Sequence, residues 1–129
     1  MIIEDVVNYW IATAEHDRET MDVLFKSGRY SDSLFFGHII LEKILKGLVA
    51  KNTREHPPYT HNLLQLHILS KESLDESEVD FLSKMNDFNI RARYPERRLE
   101  LYKQCTKEFT EVYIDKVMLL YKKLWQKLK

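Results

Sequence analysis

Apolar residues recur at threes and fours along nearly the whole chain, and the breaks in that rhythm divide it into helices. From about Ile3 to Lys26, Val6, Trp10, Ala14, Met21 and Leu24 share one stripe, and Ser27-Gly28 supplies a stop. A second helix is predicted from about Tyr30 to Lys51, with Ser31 or Asp32 as N-cap. Its apolar residues cover almost the full circumference, the mark of a central helix buried on several sides. Gly37 and Gly47 sit inside it, which suggests a close passage of neighbouring backbone. Pro57-Pro58 breaks the pattern, and Thr60 then caps a short helix from His61 to about Leu69. Ser73 and Glu76 have capping-box spacing ahead of a fourth helix with Val79, Leu82, Met85 and Phe88 inward, ended by Pro95.

The remainder, from Glu96 to Lys129, reads as one long helix on which Leu99, Tyr102, Phe109, Val112, Val117, Leu120 and Leu124 recur. Tyr113, Leu119, Tyr121 and Trp125 are surplus to that stripe, so part of this helix is expected to face a partner, most simply a second copy in a symmetric homodimer. The expected fold is all-α, an antiparallel up-and-down bundle of four to five helices. With 129 residues the chain is expected to form a single domain, residues 1–129. Three Gly and three Pro in that length argue against a strand-rich fold.

Charge narrows the partners. Twenty basic and twenty acidic residues balance to a formal net charge of zero, so no global field draws the chain to nucleic acid or to an anionic membrane, and any anion site must be local. The lone Cys105 has no partner for an internal disulfide and reads as a core thiol in a reducing compartment. Acids stand near the N-terminus where a signal peptide carries cations, and no apolar run reaches membrane-spanning length. A cytoplasmic location away from membranes is the expectation.

Several polar residues lie on apolar stripes and need an account. Asp17 falls between Ala14 and Met21, where a carboxylate requires a cationic or hydrogen-bonding partner. Glu42 and Lys46, spaced i,i+4, interrupt the second helix and can pair with each other. His38 lies in line with Leu34, Leu41 and Leu45. Asp17, His38 and Glu42 are read as structural polar residues. The chain has seven arginines, and Arg91, Arg93, Arg97 and Arg98 fall within the eight residues RARYPERR, next to Tyr94. Forked guanidinium hydrogen bonds and an adjacent ring suit a nucleotide or RNA phosphate; the competing account is a solvated helix end balanced by Glu96 and Glu100. No motif for a metal, a Gly-rich phosphate loop or a nucleophile elbow is present, and no cofactor is expected.

Three stretches together resemble the HEPN family. In the second helix FFGHIILEKILKGLVA matches an aromatic start, His or Gln, and a Glu-Lys-x-x-Lys pattern, here His38, Glu42, Lys43 and Lys46. YTHNLLQL matches a Thr-His-x-Leu element through Thr60, His61 and Leu63, and FNIRARYPE matches an Ala-Arg-Tyr-Pro signature through Ala92, Arg93, Tyr94 and Pro95. Asp17 falls where the family tends to place an acid in helix one. The likeness spans nearly the whole chain.

The resemblance implies a helical bundle that usually dimerises and binds nucleotides. It also implies a short prokaryotic protein working beside a separate minimal nucleotidyltransferase, as half of a two-gene toxin and antitoxin module. Nucleotide contacts are expected from Arg91, Arg93, Tyr94, His61, Lys43 and Lys46. Two alternatives stand beside this non-enzymatic reading. One is a metal-independent endoribonuclease acting on RNA, for which Arg54 or the Arg91/Arg93 pair would serve with His61; Arg54 and His61 have the family's Arg-to-His spacing but straddle a proline loop. The other is a purely structural dimer, in which Arg93 pairs with Asp17 or Glu42 to lock the bundle.

Overall fold

A computed structural model describes residues 2–128. It contains six helices among these residues: α1 (Ile3–Lys26), α2 (Tyr30–Thr53), α3 (Leu63–Ser70), α4 (Glu76–Arg93), α5 (Pro95–Gln104) and α6 (Lys107–Leu128). A turn with Gly28 at φ +79° folds α2 back along α1, a backbone angle that glycine adopts without a Cβ clash. The all-round apolar pattern of α2 has the expected consequence. It touches each of the other helices and carries the centre of the core, with Leu34, Ile40, Leu41, Ile44, Leu45 and Leu48 buried.

The glycines of α2 meet side chains, not the neighbouring backbone their sequence positions suggested. A Cβ on Gly37 would lie 3.3 Å from Val117 Cγ2, and one on Gly47 would lie 3.6 Å from Trp10 Cβ. Both glycines therefore let α6 or α1 close onto α2.

Helix starts differ from expectation because several cap residues compete within each loop. Ser31 and Asp32 lie inside α2, whose N-cap is Arg29 without a side-chain cap; Tyr30 already packs on Phe25 at 5.4 Å, which anchors the helix earlier. Asn62 and not Thr60 caps α3, accepting from the backbone N–H of Leu64 and Gln65. The capping box of α4 is Asp75 with Glu78, two residues after the Ser73/Glu76 pair. Asp75→Ala is expected to cost about 1 kcal/mol, read as a lower urea midpoint with unchanged slope. An unchanged midpoint would mean that the box contributes nothing.

The predicted single long C-terminal helix is two. The break falls at Cys105-Thr106, where Thr106 Oγ1 accepts from the backbone N–H of Phe109 at 3.2 Å and so caps α6. With that break Leu101 and Cys105 turn inward, while Leu99, Tyr102 and Val112, expected inside, are 67%, 48% and 52% exposed. Tyr121, expected to be surplus, is buried and donates its hydroxyl to Glu15 at 3.1 Å; Tyr113 stacks among Phe81, Phe88 and Phe109. Of the surplus set Leu119 alone is exposed, at 72%. Among the described residues, no helix is long and apolar enough to cross a membrane.

Candidate functional site

One strip of α2 is polar. His38, Glu42 and Lys46 succeed one another at i,i+4 on the most enclosed helix of the protein, and each is buried. Glu42 Oε2 accepts from Lys46 Nζ at 2.9 Å, as the spacing suggested. Its other oxygen accepts from His61 Nδ1 at 2.8 Å, across the proline loop. Lys46 Nζ also lies 5.0 Å from the ring centroid of Trp10 and 6.0 Å from that of Tyr59, so the aromatic faces share in offsetting its lost hydration. Since a carboxylate can only accept, Nδ1 of His61 carries the proton, and Nε2 of this half-exposed ring is left as a base or anion contact.

His38 is fully buried, and Asn86 Oδ1 lies 3.4 Å from its Nε2. Burial pushes its pKa down to about 4, against an opposing pull from Glu42, so the ring is neutral at pH 7. Asn86 also organises the loop. Its Oδ1 accepts from the backbone N–H of Leu63 at 3.0 Å, and its Nδ2 donates to Asn62 Oδ1 at 3.1 Å. The start of α3 is thereby tied to α4, and His61 is held beside the end of α4.

That juncture forms a cavity of about 270 Å³ lined by His61, Asn62, Asn86, Asn89, Ile90, Arg93 and Tyr94. Arg93 is exposed and makes no ion pair with any described residue; Tyr94 is 51% exposed. Three of the residues singled out in the sequence, His61, Arg93 and Tyr94, thus share one wall. The others do not reach it. Arg91 pairs with Asp87 at 3.1 Å, donates to Gln104 at 2.6 Å and lies over the Phe88 ring. Lys43 pairs with Asp17 at 2.5 Å, and Lys46 with Glu42. Arg98 donates to the Ala92 carbonyl at 3.0 Å. Arg54 ends α2 in a left-handed conformation and pairs with Glu4 at 2.6 Å, outside the cavity. Neither Asp17 nor Glu42 contacts Arg93, so the structural lock expected of Arg93 is made by Lys43 and Lys46 instead.

Asn86 and Asn89 line the same cavity and belong to none of the motifs singled out in the sequence. A signal was there: Asn89 continues the Leu82 and Met85 stripe at i+7 and i+4, so an amide falls where a hydrophobe belongs. A larger concavity lies elsewhere, about 560 Å³ between α4 and α6, walled by Phe81, Leu119 and Leu120 with Lys84, Lys116 and Lys123. It holds none of the imidazole, guanidinium or amide groups assembled at the α3–α4 juncture, so chemistry favours the smaller site. Burial raises the pKa of the Cys105 thiol, which keeps it protonated at neutral pH. No group of three or more His, Cys, Asp or Glu side chains is placed to hold a metal among the described residues.

The family model for the HEPN domain matches residues 7–127. The chain belongs to the HEPN family. Its fold is similar to that in the crystal structure of TT1696 from Thermus thermophilus, with a TM-score of 0.78 and 20% sequence identity, covering 94% of this chain and 97% of that one. At this identity the likeness speaks for the fold alone. No curated protein gives a significant match. In this HEPN domain the residues of the three motifs divide into two tasks. Glu42, Lys43 and Lys46 hold the bundle, and His61, Arg93 and Tyr94 line the opening.

Proposed function

We propose that this HEPN domain is a nucleotide-binding module, with the cavity between α3 and α4 as its site. The observation that carries the reading is a guanidinium with no ion pair among the described residues, Arg93, lining the same cavity as a half-exposed Tyr94 and a His61 whose ring is fixed by buried Glu42. Guanidinium and imidazole suit a phosphate, and the phenol ring suits a base. A separate minimal nucleotidyltransferase, in a two-gene toxin and antitoxin module, is the partner that fits such a module. The exposed Leu99, Tyr102, Val112 and Leu119 of α5 and α6 offer apolar surface for a homodimer, which light scattering after size exclusion would reveal.

Calorimetric titration with mononucleotides tests the reading. Wild type is expected to bind in the micromolar range, and Arg93→Ala to bind at least tenfold more weakly, since a hydrogen bond to a charged group is worth roughly 1.5–3 kcal/mol. Because Arg93 makes no ion pair with a described residue, the variant should keep its circular dichroism and melting temperature. Equal affinity of variant and parent would remove the site.

The Glu42–His61 pair favours a second reading, a metal-independent endoribonuclease. A carboxylate on Nδ1 and a free Nε2 is the arrangement of a general base, and Arg93 would take the scissile phosphate, not Arg54 or Arg91. Cleavage of a labelled RNA in excess chelator, abolished in His61→Ala, would favour it over simple binding. A folded dimer that bound no nucleotide and cut no RNA would leave the purely structural account.

A further inference from the structure

Exposed charge along α6 is sorted by sign. Its first half shows Glu108, Glu111 and Asp115 to solvent with Lys107 the one cation among them, and its second half shows Lys116, Lys122, Lys123 and Lys127 with no acid. The helix dipole favours that order only in the outermost turns, so it does not account for the switch at Asp115-Lys116. Each half also carries one exposed hydrophobe, Val112 at 52% and Leu119 at 72%, seven residues apart and so on one stripe. Val112 shares a shallow concavity of about 250 Å³ with the three acids. Leu119 lines the concavity of about 560 Å³ where the backbones of α4 and α6 stand apart on α2, with Phe81 and Leu120 buried beneath it. In that wall Glu78 is taken by Lys123 at 2.7 Å, whereas Lys84, Lys116 and Asp80 make no ion pair with any described residue. Glu108, Glu111 and Asp115 make none either. One patch of α6 is therefore acid around an apolar side chain, and the next is lysine around another.

From this arrangement we propose that a second copy of the chain covers α6, the two α6 helices crossing antiparallel about a two-fold axis near Asp115-Lys116. The acid patch and Val112 of each copy then meet the lysine-rimmed groove and Leu119 of the other, so one operation makes both contacts twice. A parallel pair would set acid on acid and lysine on lysine, which disfavours it. This pairing rests on the homodimer proposed above, to which it gives a face and an orientation, and it shares no residue with the cavity between α3 and α4. Leu99 and Tyr102 are exposed as well, but the charges around them on α5, Glu96, Arg97, Arg98, Glu100 and Lys103, are mixed in sign and select no second copy. Exposed ion pairs contribute little one by one, so Val112 and Leu119 carry the affinity and the charges set the orientation. One helix crossing is a small interface, and the dimer is expected to be weak and concentration-dependent.

Sedimentation velocity of the full chain between about 1 and 100 μM should show monomer passing to dimer. Leu119→Asp should weaken association at least tenfold, whereas Leu99→Asp should not. Orientation is tested by two charge variants, Glu111→Lys with Asp115→Lys, and Lys84→Glu with Lys116→Glu. All four positions are exposed, so both variants should keep their circular dichroism. Each alone brings like charges together and should associate at least tenfold more weakly than the parent. Mixed in equal amounts they should form a heterodimer, because each then meets the opposite sign at both contacts. Leu119→Asp added to both should abolish that heterodimer, which general attraction between a basic and an acidic protein would survive. A dimer that persists in Leu119→Asp and in each charge variant overturns this face and leaves the homodimer standing. A wild type that stays monomeric throughout overturns the homodimer and this pairing with it.

Discussion

Glu42→Ala is expected to destabilise the protein by about 3–5 kcal/mol, the usual cost of stranding a buried charge. Glu42 is 5% exposed and holds two groups at once: Lys46, itself 5% exposed, at 2.9 Å and His61 at 2.8 Å. Removing the carboxylate leaves the Lys46 ammonium enclosed against the Trp10 and Tyr59 rings without its ion-pair partner, and frees the start of α3 from one of its ties to α2. Urea denaturation at pH 7 reads the change. The double variant Glu42→Met, Lys46→Met should recover much of the loss, because a buried pair replaced together by hydrophobes of like size is close to neutral. A single-variant loss under about 1 kcal/mol, the ordinary yield of a solvent-exposed pair, would mean that water reaches Lys46 and that the polar strip is not a closed lock.

A second large effect is expected from acid. His38 carries a native pKa of about 4, lowered from 6.5 first by burial. Between those values the unfolded chain binds a proton that the native chain refuses, so stability is full above about pH 6.5 and falls as pH drops toward 4. At about 1.4 kcal/mol per pKa unit, the loss across that window is on the order of 3 kcal/mol. Urea midpoints at several pH values should show wild type weakening and His38→Gln weakening less, since an amide keeps a donor for Asn86 and cannot titrate. Parallel curves for the two proteins would show that His38 is not the group refusing the proton.

These two effects lie on residues that the sequence singled out, and the reason is physical. A polar residue on an apolar stripe must be paired if the stripe is buried, so His38, Glu42 and Lys46 stood out against Leu34, Leu41 and Leu45 before any fold was known. The stripe of α1 and the all-round burial of α2 followed from spacing alone. What spacing does not encode is which polar residue meets which across helices. Asp17 found Lys43 and not Arg93, because that choice depends on the angle and register of packing. The break at Cys105-Thr106 carries no Gly or Pro, and the i,i+3 rhythm runs straight through it, so α5 and α6 read as one. The four arginines looked like a patch only in one dimension: the helix end at Tyr94 points Arg91 to Asp87 and Gln104 and leaves Arg93 alone on the cavity. Asn89 was missed because a single Asn is ordinary on a helix unless its face is known to be buried.

The most direct measurement is an amide NMR titration of the isotopically labelled protein with GMP. Binding at the juncture of α3 and α4 should move the backbone signals of His61, Asn62, Asn89, Ile90, Arg93 and Tyr94, and leave those of Lys84, Lys116 and Lys123, in the larger groove, in place. Shifts confined to that groove, or none up to millimolar GMP, would contradict the assignment of the site.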